Sequence, residues 1–321
     1  MNAFAAPTLV DVRTAAARIA PYARVTPVLT SPELDRRAGA RLCFKCEHLQ
    51  VGGAFKFRGA CNAVWSLTDD EAQRGVVTHS SGNHGAALAL AAATRGIPAH
   101  VVVPEGAVAA KLANIERAGG IIHRCAPGTP AREAACAEVQ RATGATLVHP
   151  YADARVMAGQ GTIVPELLRQ VPDLDVVVTP VGGGGLASGC VIALRALRPQ
   201  AGLVAAEPAG ADDAARSLAR GERVTSVVPH TICDGLRASI GAPNLTLLRE
   251  YGVEVITVDD AAVLAAMRLA WAELKQTIEP SSATVLAAVL AQRDRFAGQR
   301  IGLVLTGGNL DLDAIPFATR A

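Results

Sequence analysis

The chain has 321 residues, half of them apolar and only 3% aromatic, and a formal net charge of +2. Such a length can bury a large core in one or two domains. Acids and bases are well mixed, which argues against nucleic acid or a charged membrane surface as a partner. The richest apolar stretch, 86–93, falls far short of the roughly 20 residues a bilayer span needs. The N-terminus also lacks the basic start, apolar run and cleavage site of a signal peptide, so a cytoplasmic protein is expected.

In chain order, the first strand-like run is 41–48, which carries Cys43 and Cys46 as a lone C-x-x-C. Residues three apart on a strand point to opposite faces, and no second pair completes a zinc site. Both read as buried small hydrophobes, and the 7 scattered cysteines fit reduced thiols. Residues 53–60 (GAFKFRGA) then run into a helix over 61–67, on which Phe57, Cys61 and Val64 follow helical spacing and face the core. Lys56 lies at or just before that helix start, where the positive end of the dipole disfavours a cation. The same field, with partial burial, lowers its pKa and supplies the neutral amine that a Schiff base requires. A solvated lysine at a helix end is the plainer alternative.

The strand 75–79 leads through THSSGNHG (78–85) into a helix over 86–95. Ser80, Ser81 and Asn83 fall where side-chain oxygens cap free N–H groups, and such a helix start also cradles a carboxylate. His79 and His84 read as packing or hydrogen-bonding residues, because nothing nearby completes a metal set. A strand at 99–103 precedes a helix at 110–118, and a strand at 175–181 runs through Gly182, Gly183, Gly184 and Gly185 into a helix at 186–197. Only glycine lets consecutive amides turn inward around a phosphate. Gly182-x-Gly184-x-x-Ala187, with Glu207 ending a later strand, also satisfies the dinucleotide fingerprint, so a nicotinamide oxidoreductase stays open on this segment. Strands at 203–206, 253–258 and 301–305 follow, and Thr306 ends the last of them before a turn of Gly307, Gly308 and Asn309. Apolar strands alternating with helices predict parallel sheets covered on both faces, with ligands bound beyond the carboxyl ends of the strands.

Eight segments in this order carry a resemblance. They are GAFKFRGA, THSSGNHG, AGQGT (158–162), PVGGGG (180–185), AAEPAGADD (205–213), CDGLRASIG (233–241), IEPSS (278–282) and LTGGN (305–309). Together they resemble the fold-type II pyridoxal phosphate (PLP) enzymes, and among these the serine racemase and serine/threonine dehydratase group, over nearly the whole chain. The nicotinamide reading leaves Lys56, the SSGNHG turn and Thr306 unexplained. The resemblance implies an α/β fold of the tryptophan synthase β type, with two parallel-sheet, three-layer domains. Residues 1–74 and 153–321 would form the large PLP-binding domain and 75–152 the small one.

The resemblance also assigns roles. Lys56 matches the Schiff-base lysine and base on one substrate face, Phe55 the aromatic beside the cofactor ring, and Asn83 the partner of the 3′-oxygen. Gly182, Gly183, Gly184 and Gly185 match the phosphate cradle, and Thr306 the hydroxyl facing the pyridine nitrogen. A neutral hydroxyl there weakens the electron sink and favours prompt loss of a β-hydroxyl or rapid reprotonation. Ser81 matches the serine that serine racemases place opposite the lysine, able to deliver a proton from the second face. Ser80, Ser81, Asn83 and His84 are expected to bind substrate, with Arg132 as a further contact. Glu207, the Ala211 carbonyl and Asp213 match a divalent-cation site suited to Mg²⁺ or Ca²⁺.

The activity implied is a serine/threonine ammonia-lyase with serine racemase activity beside it, in a homodimer. A threo-3-hydroxyaspartate ammonia-lyase is the alternative, and a non-catalytic amino-acid or PLP binder is the reading from a different class. Two departures from the family pattern bear on this. Tyr151 in HPYAD stands where mammalian-type serine racemases have asparagine, which touches side-chain preference. The chain stops soon after LTGGN, so the regulatory domain of biosynthetic threonine deaminases, and feedback by isoleucine, are not expected.

Overall fold

Short runs rich in Val and Ile form ten strands in two sheets among the described residues of the computed structural model, 4–107 and 109–311. The larger sheet uses β1 (Val28–Leu29), β2 (Arg41–Lys45), β7 (Val176–Pro180), β8 (Gly202–Pro208), β9 (Glu254–Val258) and β10 (Arg300–Val304), in the order β1-β2-β10-β7-β8-β9. The smaller sheet uses β3 (Val76–His79), β4 (Ala99–Pro104), β5 (Ile121–Cys125) and β6 (Thr146–Leu147), in the order β5-β4-β3-β6. The smaller sheet is parallel throughout. The larger is parallel except at its edge, where β1 runs antiparallel to β2, so the expectation of a wholly parallel sheet needs that correction.

The period-2 alternation of a strand decides which core each residue enters. Phe44, Leu303, Val178 and Val204 share one register row and one face, packed against the buried helix Pro280–Ala291. Their neighbours Cys43, Val177 and Leu203 point the other way, against the helix Gly185–Leu197. Each buried Leu, Val or Phe contributes about 1.5–3 kcal/mol, and both faces are covered, which is why these strands read as unbroken apolar runs. The seven cysteines are buried as free thiols.

Three expectations are corrected. The run 41–48 is a strand only to Lys45; the chain then turns through a 3-10 helix, Glu47–Leu49. Glu47 there is fully buried and pairs with Arg58, 2.7 Å away. The helix expected at 61–67 starts at Lys56, and the one expected at 86–95 starts at Asn83. The edge strand β5 went unread because Ile121 is exposed and His123 and Arg124 break its apolar pattern.

Candidate active site

Local chain chemistry first places the amine. The N–H groups of Phe57 and Arg58 donate to the carbonyls of Ala54 and Phe55, starting the helix Lys56–Trp65 at the lysine itself. Phe57, Cys61 and Val64 are buried as the spacing predicted, and this anchors the helix. Lys56 Nζ donates to the Pro150 carbonyl at 3.1 Å and lies 5.0 Å from the centre of the Phe55 ring. Burial draws the Lys56 pKa down to about 8, against an opposing pull from Glu279. The neutral amine predicted from the helix start is therefore accessible near neutral pH, with burial as its main cause.

Backbone bonds then join motifs far apart in sequence. Phe55 N–H donates to the Thr306 carbonyl at 2.9 Å, and Gly308 N–H donates to the Gly53 carbonyl at 3.0 Å. Glu279 N–H donates to the Gly307 carbonyl at 3.0 Å. Thr306 is buried two residues past the end of β10, where the sequence placed the strand's last residue. GAFKFRGA, IEPSS and LTGGN thus form one wall.

THSSGNHG supplies the facing side. Asn83 begins the helix Asn83–Arg95, and its Nδ2 donates to Glu279 Oε1 and Oε2 at 3.0 and 3.1 Å. Asn309 Nδ2 donates to Asn83 Oδ1 at 2.9 Å. Ser80 Oγ accepts from Gly82 N–H at 3.4 Å, a local cap. Among the described residues the Ser81 hydroxyl has no protein partner, and the N–H groups of Ser81, Asn83 and His84 donate to no protein acceptor. The ring of His84 is buried with Nε2 3.3 Å from the Val148 carbonyl, and burial lowers its pKa. What His84 offers a ligand is therefore its backbone N–H.

The glycine loop completes the cleft. Gly184 has φ +91°, a conformation costly for any residue with a Cβ. A Cβ on Gly182 would meet Leu236 Cα at 3.0 Å, and one on Gly183 would run into the Tyr151 ring. Gly241 N–H donates to the Gly183 carbonyl at 3.1 Å. Among the described residues the N–H groups of Gly182, Gly183 and Gly184 donate to no protein acceptor, and the helix Gly185–Leu197 begins directly behind them. Free amides at a helix start, with no side chain in the way, suit a phosphate, and Lys56 suits an aldehyde; the residues present fit PLP.

Tyr151 lies between these parts, packed on Gly183 and edge-on to His149 at 4.6 Å; His149 in turn meets His79 at 5.1 Å. Burial pulls His149 to about 4, so this aromatic row is neutral. Arg132 lies in the first turn of the helix Thr129–Thr143, with Nη2 donating to Thr129 Oγ1 at 3.1 Å and Nε buried without a partner among the described residues. Its positive field reaches both His79 and Tyr151.

Glu207 and Asp213 lie at the end of β8 and the start of the helix Asp213–Arg220, with Ala211 in the turn between. Glu207 accepts from the N–H groups of Ala214 and Ala215, both at 2.9 Å, and Asp213 Oδ2 accepts from Ile240 N–H at 2.7 Å. Burial raises both carboxyls, Glu207 to about 8, and the nearby charges of Asp213 and Asp212 add to the rise at Glu207. A separate cavity of about 680 Å³ opens near the amino ends of β2 and β10, lined by Arg41, Cys43 and Arg300, and contains none of these residues.

Sequence reading passed over Glu279 and Asn309 as site residues, although both lay inside motifs it singled out. The one local signal was an acid immediately before the proline of an otherwise apolar helix.

Comparison with known proteins accords with this geometry. The family model described as pyridoxal-phosphate dependent enzyme matches residues 19–307. A β-hydroxyaspartate dehydratase of Paracoccus denitrificans is 47% identical over 311 residues, covering 97% of this chain and 99% of that protein. A serine racemase of Arabidopsis thaliana is also 47% identical, covering 96% of this chain and 94% of its own. The solved structure of maize serine racemase superposes with a TM-score of 0.95 at 44% identity, covering 97% and 96% of the two chains.

Proposed function

The chain belongs to the pyridoxal-phosphate dependent enzymes, as one of their racemase and lyase types, and we propose that it is an ammonia-lyase of L-serine and L-threonine that also racemises serine. The observation that carries the reading is the cleft in which the Lys56 amine, the free amides before the helix Asn83–Arg95 and the glycine loop converge. When bound, the cofactor supplies an electron sink for charge developing at the substrate α-carbon.

The residues then divide the work. Gly182, Gly183, Gly184 and Gly185 would hold the phosphate, with Phe55 for the ring, Asn83 for the 3′-oxygen and Thr306 for the pyridine nitrogen. Amides of the Ser80–His84 loop orient the substrate carboxylate, with Arg132 as a further contact. Lys56 Nζ takes the α-proton, and hydroxide leaves Cβ. The Ser81 hydroxyl, with no partner among the described residues, delivers a proton from the opposite face. Glu207, the Ala211 carbonyl and Asp213 hold Mg²⁺ or Ca²⁺, whose charge would relieve two buried carboxyls. The smaller sheet with its helices, 75–152, is taken as the small domain, and the assembly as a cytoplasmic homodimer.

A second reading, dehydration of threo-3-hydroxyaspartate, is favoured by one observation. Arg132 has a buried, unbonded Nε beside the cleft, a charge available to a second carboxylate. The deciding experiment measures 2-oxo acid release from L-serine, L-threonine and L-threo-3-hydroxyaspartate with Mg²⁺ present. Fastest release from serine or threonine supports the main reading. A strong preference for hydroxyaspartate promotes the second, and no release from any of them by cofactor-loaded protein overturns both.

A further inference from the structure

The bonds around Asn83 define a device that neither its own position nor the motif around it foretells. A carboxamide can be turned over to exchange its oxygen and nitrogen, and only its partners decide which way it stands. Here two partners decide independently. Asn309 Nδ2 donates to the Gly52 carbonyl at 2.8 Å, and a carbonyl can only accept, so the Asn309 amide is fixed. The same nitrogen donates to Asn83 Oδ1 at 2.9 Å, which fixes the Asn83 oxygen on that side. On the other side Asn83 Nδ2 faces both Glu279 oxygens, at 3.0 and 3.1 Å. An ionised carboxylate has no proton to give, so it too demands the nitrogen.

We propose that Asn309 and Glu279 are positioning residues that hold the Asn83 carboxamide in one orientation, with one N–H on Glu279 and its second N–H reserved for the cofactor. Asn309 is the lock of the pair. Burial raises the Glu279 carboxyl to about 7, so within the working pH range it gains a proton. A protonated Glu279 could donate to an oxygen and would welcome the turned-over amide. The turned amide would set its own N–H groups against the Asn309 nitrogen, a donor facing a donor. Asn309 therefore keeps the orientation independent of the Glu279 proton. The charged groups bearing on Glu279 are Lys56, Lys111 and Asp234. None of them contacts the Asn83 oxygen.

The inference rests on the reading that Asn83 meets the cofactor, and the test separates the two. Retention of PLP is measured by dialysis and by its visible absorption, with no substrate, from roughly pH 6 to 8.5, across the range in which the Glu279 carboxyl titrates. The proteins are the wild type, Asn83→Ala, Asn309→Ala, Glu279→Gln and the double variant of the last two. Asn309→Ala should weaken retention below about pH 7 by roughly two- to ten-fold, the worth of one hydrogen bond, and little above it. In the double variant that pH dependence should vanish, because glutamine does not titrate. Retention by Asn309→Ala that tracks the wild type at every pH, or falls equally at every pH, overturns the lock. A loss relative to the wild type that still varies with pH in the double variant overturns the part given to Glu279. Unchanged retention by Asn83→Ala would instead sink the underlying reading of Asn83.

Discussion

At the scale of single residues, the site turns on where protons sit. Lys56 is held near pKa 8 by burial, with Glu279 pulling the other way. A depressed amine is protonated below that value and neutral above it, and only the neutral form attacks an aldehyde. Uptake of PLP by the unloaded protein should therefore accelerate as pH rises through about 8, followed by growth of the visible absorption. A rate flat from roughly pH 6 to 9 would contradict the shift. Ser81 is tested by removing its hydroxyl. Ser81→Ala should abolish D-serine formation while pyruvate release persists, read by chiral separation of the products; racemisation that survives means the second proton comes from elsewhere. Lys56, Asn83 and Ser81 drew attention because each is odd where it stands, a cation at a helix start or more polar residues than a cap needs, and the roles proposed for them came with the family resemblance. Glu279 did not, since its meaning comes from Asn83, 196 residues away.

At the scale of elements, a buried ionic network ties together four segments behind the amine. Lys45 ends β2, Glu47 follows it, Arg58 lies in the helix Lys56–Trp65, and Glu166 lies in the helix Ile163–Gln170. Arg58 meets Glu47 at 2.7 Å and Glu166 at 2.9 Å, and Lys45 meets Glu166 at 2.5 Å. Burial alone would raise the Glu166 carboxyl, but Arg58 and Lys45 overrule it and hold it below its ordinary 4.5. Glu166→Ala removes the carboxylate that Lys45 meets and leaves Arg58 with Glu47, and should destabilise by about 3–5 kcal/mol in denaturant unfolding, far more than breaking the exposed Arg36–Glu33 pair. A loss under about 1 kcal/mol would show that water reaches the network. Because the folded pKa is depressed, this stabilisation is present above pH 4.5 and fades as pH falls below it. The strands of the larger sheet other than β1 were legible from their apolar runs, whereas the turn after Lys45 was not, because Glu47 and Arg58 come from separate segments.

At the scale of the whole molecule, two sheets meet at one cleft, bridged by Asn83 with Glu279 and by the ion pair of Lys111 with Asp234. The proposed cation site supports the same cleft from behind. Asp213 accepts from Ile240 N–H, and the next residue, Gly241, donates to the Gly183 carbonyl of the glycine loop. Stripping divalent cations with a chelator should therefore lower the melting temperature and loosen PLP together, and Mg²⁺ or Ca²⁺ should restore both. Glu207→Gln should make the protein indifferent to the chelator, and a wild type equally indifferent would remove the cation from the account. The sequence by itself determined the α/β class and most strand positions, and drew out the lysine, the glycine loop and the loop before the helix Asn83–Arg95 as candidates. These follow from short-range physics: hydrophobic period, the conformational freedom of glycine, and the free N–H groups of a helix start. Only the tertiary structure decided the antiparallel edge, the turn after Lys45, the buried charge network and the bond of Glu279 to Asn83. Each of these sets charges or backbone groups from distant segments within hydrogen-bond reach, and what an ionisable side chain does there is fixed by burial and partner, neither of which is written in its neighbours along the chain.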